Sequence, residues 1–461
     1  MRFDGELAEI RFGAGLSPLL PPPVSAADML ERLEGPDDAA RAFPVPGFNQ
    51  AMAGTRTFWQ LQTERRQQEG KPGYEAADKA FKDFRRQRNH ARIGWHGQNL
   101  LRHAHTRDGF RERLALFWAD HFTAQGKNAA LRVLAAPYAE TVIRPHLAGR
   151  FEDMLTAAVT SPLMLHYLDQ RNSAGPASRA AKRHKRLSGL NENLAREVLE
   201  LHTLGVDGPY SQSDVRQLAE LFTGLSFNAK DGFVFRPGMA EPGAETVLEK
   251  AYGGGKPELE QVLAALRDLA RHPATARHTA RKLAVHFTAD VPDPDLVDHM
   301  AARYQSTGGD LMQVYAALLE HPAAWAPELR NVKPPFDFLA SACRALAVPA
   351  ARVARLKPGQ VNRLLLAPLT PMGQAWEFSG GPDGWPEADT AWITPQALAA
   401  RLRWTMTAPR RLLQDLPDPR DFAGAALGSY ANERVRFAAR AAETRTEGIG
   451  LILSSPAFQR R

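Results

Sequence analysis

With 461 residues, 44% of them hydrophobic, the chain exceeds the usual size of one domain and carries ample material for a large core. Its single cysteine, Cys343, excludes an internal disulfide, and no run approaches the roughly 18 apolar residues that cross a membrane. The formal charge of +7 is small for this length, so a solvated surface is expected rather than a nucleic-acid footprint.

Met1 to Ile10 places acidic groups where a signal peptide needs an apolar run. A soluble, cytoplasmic protein is therefore expected, with export alongside a partner still compatible. Arg11-Phe-Gly-Ala-Gly has the wrong glycine spacing for a phosphate-binding fingerprint and reads as a turn. From about Thr55 to Arg107 the pattern is helical and heavily charged. Its most basic run, Arg85 to Arg92, lacks the interleaved aromatics of nucleic-acid modules and reads as a solvated face. Phe110 to Phe122 predicts a second strong helix, with Leu114, Phe117 and Trp118 on its apolar face and His121 near the middle of that face. An unpaired buried polar group costs on the order of 1 to 3 kcal/mol. His121 is therefore either a core histidine bonded to a carbonyl or carboxylate, or a ligand or acid–base group.

Gly149 to Pro162 and Gly309 to Pro322 keep the same separation of glycine and proline. Each follows a helix end reading His-Phe-Thr-Ala, at His121 and at His286. An internal duplication and ordinary helix punctuation both explain the pattern. Arg171 to Arg186 has no acidic and no large apolar residue, so a mobile loop is expected there.

Asn191 to Val206 combines the most charge with the most regular helical spacing. Asn191 can cap a helix with Leu194, Val198 and Leu201 on one arc, and Gly205 can end it with positive φ. Glu192, Arg196 and Glu200 form a ladder at i, i+4 and i+8, while Glu197 sits at the edge of the apolar face. Ser211 and Asp214 have the spacing of a helix-opening box, with Val215, Leu218, Ala219 and Phe222 inward.

Residues 227–255 change composition and imply an irregular excursion with at most a short hairpin. Pro371 to Thr394 is rich in glycine, proline and tryptophan. Trp376, Trp385 and Trp392 either plug this late loop onto the body or line a pocket as stacking surfaces. Almost no alternating strand pattern occurs, so the fold class is mainly α. One continuous multi-helix body is expected, divisible into an N-terminal helical region (1–108), a central helical core (109–346) and a C-terminal helical region (347–461).

The 191–206 stretch occurs in order with Arg11-Phe-Gly-Ala-Gly, Trp118-Ala-Asp-His-Phe, Ser161-Pro-Leu-Met-Leu-His-Tyr-Leu-Asp, Lys333-Pro-Pro, Met372-Gly-Gln, Gly384-Trp-Pro and Trp392-Ile. In these pieces the chain resembles the bacterial domain of unknown function 1800 family over nearly its whole length. It departs from the family at Ala240-Glu241-Pro-Gly-Ala-Glu245, where relatives often carry His-Asp and a nearby lysine. The resemblance implies a mainly helical bacterial protein, often encoded beside an alkaline-phosphatase-like family (domain of unknown function 1501). It carries no established catalytic residues.

Two functions follow. In the first, the chain is a binding or assembly partner of that neighbouring protein, and Lys127, Trp385 and Trp392 are candidate contacts to a partner or substrate. In the alternative it is an enzyme with its site between the His121 and Glu197 helices. His121, Glu197, Glu200 and Arg196 are then the candidate catalytic residues, with Arg196 or Lys127 holding an anionic substrate. The cofactor is unknown. Carboxylates and a histidine suit a divalent metal in a bundle core, yet Glu-x-x-His repeats and His-Glu-x-x-His are missing. The sequence leaves the oligomeric state open.

Overall fold

The computed structural model describes residues 3–183, 189–228 and 232–461. It is 63% helical with 4% strand, which makes the protein mainly α. Helices begin where a side chain can accept from otherwise unpaired backbone N–H groups, as Asp4, Ser25, Asp108, Asp310 and Thr394 do. Several capped helices also carry proline as their first residue, where its missing N–H costs nothing, as at Pro162, Pro273, Pro294 and Pro395.

The charged stretch after Thr55 resolves into two helices packed together, Phe48–Gln67 and Tyr74–His105. Arg85 and Arg86 lie on the solvated face, whereas Arg88 turns inward to Thr55 Oγ1 and the Ala130 carbonyl, both at 2.8 Å. Two large apolar clusters form the interior. One gathers Phe12, Phe110, Trp118, Phe151, Leu194, Leu218, Phe287 and Tyr315; the other unites Leu100 and Leu101 of the long second helix with Phe336, Leu365, Trp404 and Ile452.

The two segments of matched spacing meet in space. Phe151 N donates to the Gly309 carbonyl at 2.8 Å and Leu311 N to the Gly149 carbonyl at 3.0 Å, a reciprocal antiparallel bridge centred on Arg150 and Asp310. The helices Phe151–Val159 and Leu311–Glu320 leave from this bridge.

The 191–206 stretch is helical but irregular. An α-helical start, Asn193–Glu197, passes into a π segment, Val198–Thr203, and Gly205 ends it at φ +89°. Leu204 N bonds the Leu199 carbonyl five residues back, so one extra residue enters the turn and the buried face rotates. Leu199, His202 and Thr203 are buried, and Leu201, expected inward, is only half-buried. Ser211 and Asp214 form the expected capping box on the helix Gln212–Leu221.

Residues 225–253 hold two antiparallel hairpins rather than one, pairing Leu225–Asn228 with Gly232–Phe235 and Ala244–Val247 with Lys250–Gly253. The second turns on Leu248 and Glu249, both at positive φ without the glycine or asparagine that marks such a turn in sequence. The 171–186 stretch also departs from expectation. Arg179–Arg183 is a short helix, Ser173, Ala174, Ser178 and Ala181 are buried, and Gly175 N and Ala180 N donate to the Met239 and Gly238 carbonyls, each at 2.9 Å. Small residues docked by backbone bonds need no large apolar side chain; residues 184–186 of that stretch lie outside the described residues. Among the described residues, no helix is long and apolar enough to cross a membrane.

Candidate functional site

The helix Gly109–His121 is capped by Asp108 and buries Phe110, Leu114, Phe117 and Trp118. Trp118 is satisfied there, its Nε1–H donating to Tyr315 Oη at 2.7 Å. On the side of this helix where Leu116, Ala119 and Asp120 emerge, the two apolar clusters stand apart and leave a cavity of about 190 Å³. The late loop walls one side of it. Trp376 stacks on Phe336 with ring centroids 4.2 Å apart, and Trp392, 1% exposed, leans on the half-buried Trp385. The loop therefore does both things the sequence allowed, since its tryptophans plug it onto the body and line the pocket.

Asp120 lies in the last turn of its helix, where the carbonyl ends of the helix disfavour negative charge. Its carboxylate accepts the Trp385 backbone N–H, at 2.9 Å to Oδ1 and 3.1 Å to Oδ2. Gly384 makes this approach feasible, for a Cβ there would lie 2.6 Å from Oδ2, and its φ of +80° suits glycine. Burial, with Glu387 and Asp383 nearby, pushes the Asp120 carboxyl up to about 8 against the pull of the Trp385 N–H and Lys282.

Glu387 lines the same cavity and meets His286 Nδ1 at 2.9 and 3.1 Å through its two oxygens. The other ring nitrogen, Nε2, lies 2.9 Å from an Arg113 N–H. Arginine only donates, so Nε2 is the acceptor and Nδ1 carries the proton given to Glu387. Burial holds the His286 ring down to about 4, hence neutral. Burial pushes the Glu387 carboxyl up, but the His286 N–H and the fields of Arg461 and Lys282 outweigh it and leave the group below its ordinary value. Arg113 is anchored by Asp337 at 3.1 Å, and Asp337 also bonds Arg461.

A third carboxyl, Glu377, lines the wall from a residue at φ +63°, a conformation that costs a non-glycine residue roughly 1 to 3 kcal/mol. Burial raises it to about 7, and Arg92 at 3.3 Å is its ion-pair partner. The guanidinium groups that line the cavity are already paired, Arg102 with Glu140 at 2.6 Å and Arg144 with both Glu112 and Asp37.

The sequence-predicted candidates fall elsewhere, except for two tryptophans. His121 is buried, but its Nε2 faces the His202 carbonyl at 3.2 Å and its ring packs among Phe117, Trp118, Phe122, His202 and His278. Glu197 is half-buried and raised to about 7 by burial, Glu200 and Asp383; among the described residues it makes no hydrogen bond or ion pair and does not meet His121. Arg196 forms the expected ladder to Glu192 at 3.3 Å and Glu200 at 3.2 Å. Lys127 pairs with Asp169 at 2.5 Å on the surface. Of the named candidates only Trp385 and Trp392 line the cavity. Among the described residues, no group of three or more His, Cys, Asp or Glu is placed to hold a metal ion.

Asp120, His286, Glu377 and Glu387 were missed because the first two flank or repeat the more conspicuous His121 and the other two sit in a loop without periodicity. A signal was nonetheless present. Asp120, Pro334, Gln374, Trp385 and Trp392 come from five of the short segments that carry the family resemblance, and all five line this one cavity.

Fold and site together define a helical protein with an acidic, aromatic-walled cavity bounded on one side by a tryptophan loop. The chain belongs to the family described as Protein of unknown function (DUF1800), which it matches over residues 21–460. Among curated proteins and solved structures, none matches the chain.

Proposed function

We propose that the protein is an enzyme that moves a proton on a small organic molecule held in this cavity. The observation that carries the reading is a pair of carboxyl groups on one cavity wall whose surroundings push their acidities apart, Asp120 up to about 8 and Glu387 below its ordinary value. Such a divergence assigns the acid to Asp120 and the base to Glu387, with His286 and Arg113 positioning the base. Trp376, Trp385 and Trp392 supply the apolar wall that orients a ligand and sheds water. The test is to expose the wild type to a complex metabolite mixture and follow the mixture by mass spectrometry. A compound consumed by the wild type and left untouched by folded Asp120→Asn and Glu387→Gln supports the reading. A mixture that stays unchanged, or variants that consume the same compound, removes it.

The second reading, a binding or assembly partner of the neighbouring alkaline-phosphatase-like protein (domain of unknown function 1501), is favoured by a different observation. Leu398 and Leu402 on the helix Pro395–Thr407, Phe437 on Glu433–Ala441 and Leu451 on Arg445–Ser454 are exposed, and these helices are neighbours. Exposed apolar side chains on adjacent helices suit a docking face. Co-purification of the two proteins that Leu402→Lys and Phe437→Lys abolish supports this reading; co-purification unaffected by both variants removes it.

A further inference from the structure

The charges that line the cavity are unequal. Six carboxyl groups, Glu112, Asp120, Glu140, Asp337, Glu377 and Glu387, face two guanidinium groups, Arg102 and Arg144. Pairing removes part of the excess: Arg102 takes Glu140, Arg144 takes Glu112, and Asp337 is held from behind by Arg113 and Arg461. Asp120, Glu377 and Glu387 are left with the backbone N–H groups of Trp385 and Ala136, one long ion pair, one neutral imidazole and the fields of Lys282 and Arg461 between them. An anionic ligand would find both lining guanidinium groups already spent. An uncharged ligand would leave the acidic excess where it is.

A second observation is an unsatisfied acceptor on a residue of the lining. His103 lines the cavity at 2% exposure, and its Nδ1 sits 2.9 Å from the Asn99 carbonyl. A carbonyl only accepts, so Nδ1 carries the proton and Nε2 is an acceptor, one without a partner among the described residues. Indole faces in the same wall attract cations through their ring quadrupoles.

We propose that the cavity takes a small alkyl or arylalkyl amine in its protonated form, with the ammonium beside Asp120 and Glu387 and the apolar part against Trp376, Trp385 and Trp392. A quaternary ammonium is disfavoured because it brings no N–H to the acceptors of the wall. This assignment rests on the cavity being the functional site and adds the chemical class of its ligand. Burial keeps Asp120 protonated up to about pH 8, so an amine that enters uncharged takes the Asp120 proton as it seats, which is the acid's part in the proposed reaction, and affinity falls as pH falls because less uncharged amine is present.

The experiment is a tryptophan-fluorescence titration of the full chain with benzylamine, phenethylamine and putrescine, with benzyl alcohol and benzoate as uncharged and anionic counterparts. At least one amine is expected to quench saturably near pH 8.5. Its binding should weaken tenfold or more at pH 6 and in Asp120→Asn, whose unchanged near-ultraviolet circular dichroism reports an intact fold. Glu377→Gln provides a second variant should Asp120→Asn fail to fold. Benzyl alcohol or benzoate binding as tightly as the amines overturns the cation assignment and leaves the cavity as the site. Absence of saturable quenching by all three amines also overturns it, while the enzyme reading is decided separately, by whether a metabolite is consumed and whether its turnover survives Asp120→Asn and Glu387→Gln.

Discussion

Asp120→Asn should make the protein more stable, and increasingly so as pH rises. Asparagine keeps an oxygen for the Trp385 N–H, so the 2.9 Å bond survives while the carboxyl charge goes. The carboxyl is raised on folding from 3.8 to about 8, so the unfolded chain ionises first. The resulting penalty is absent below about pH 4, grows as pH rises, and levels off above about pH 8. Four pH units at about 1.4 kcal/mol each set a ceiling near 6 kcal/mol, and solvent screening of this half-buried group lowers it to roughly 2 to 3 kcal/mol. An unfolding entropy near 2 cal/mol/K per residue makes about 1 kcal/mol per degree for this chain. Asp120→Asn should therefore raise Tm by about 2 to 3 °C at pH 8 and by about a third of that at pH 5. Calorimetric scans of both proteins at the two pH values decide it. An equal gain at both, or a loss at pH 8, would show that Asp120 is not a buried carboxyl held at a cost to the fold.

Burial holds His96, His278 and His286 down to about 4 and His202 down to about 3, all below the unfolded value of 6.5. Their stabilisation is complete above pH 6.5 and is lost as pH falls, by at most about 1.4 kcal/mol per group per pH unit; urea midpoints that stay level from pH 7 to pH 5 contradict this. Trp392→Ala should cost about 3 to 5 kcal/mol, because the ring is 1% exposed, and Trp385→Ala less. Equal melting losses for the two would mean that the loop is anchored by both rings alike. Burial pushes the Cys343 thiol up to about 12, so a thiol reagent should label it in denaturant and leave it untouched in the native protein.

The helical fold was legible because apolar residues at i, i+3 and i+4 and capping side chains act locally, as Ser211 with Asp214 and Gly205 demonstrate. What escaped was information carried by the backbone. The π segment at Val198–Thr203 rotates the wheel partway along, so Leu201 yields its inward place to His202. The Leu248–Glu249 turn and the docking of residues 173–181 rest on φ angles and main-chain bonds that composition does not record. The site escaped for another reason. Asp120 and Glu387 lie 267 positions apart and acquire their acidities only when burial and neighbours act on them together, whereas a helical wheel registers only neighbours along one helix.

The place of the cavity, between two separate apolar clusters, gives its occupant a second effect. Whatever sits there touches Phe117 and Tyr138 of one cluster and Phe336 and Trp376 of the other, and so acts as a removable keystone that the gene does not encode. At ten times its dissociation constant such a molecule adds about 1.4 kcal/mol to the folded state. In a cell that clears unfolded chains continuously, this increment lengthens the protein's lifetime, so its abundance would rise and fall with the supply of the compound it holds.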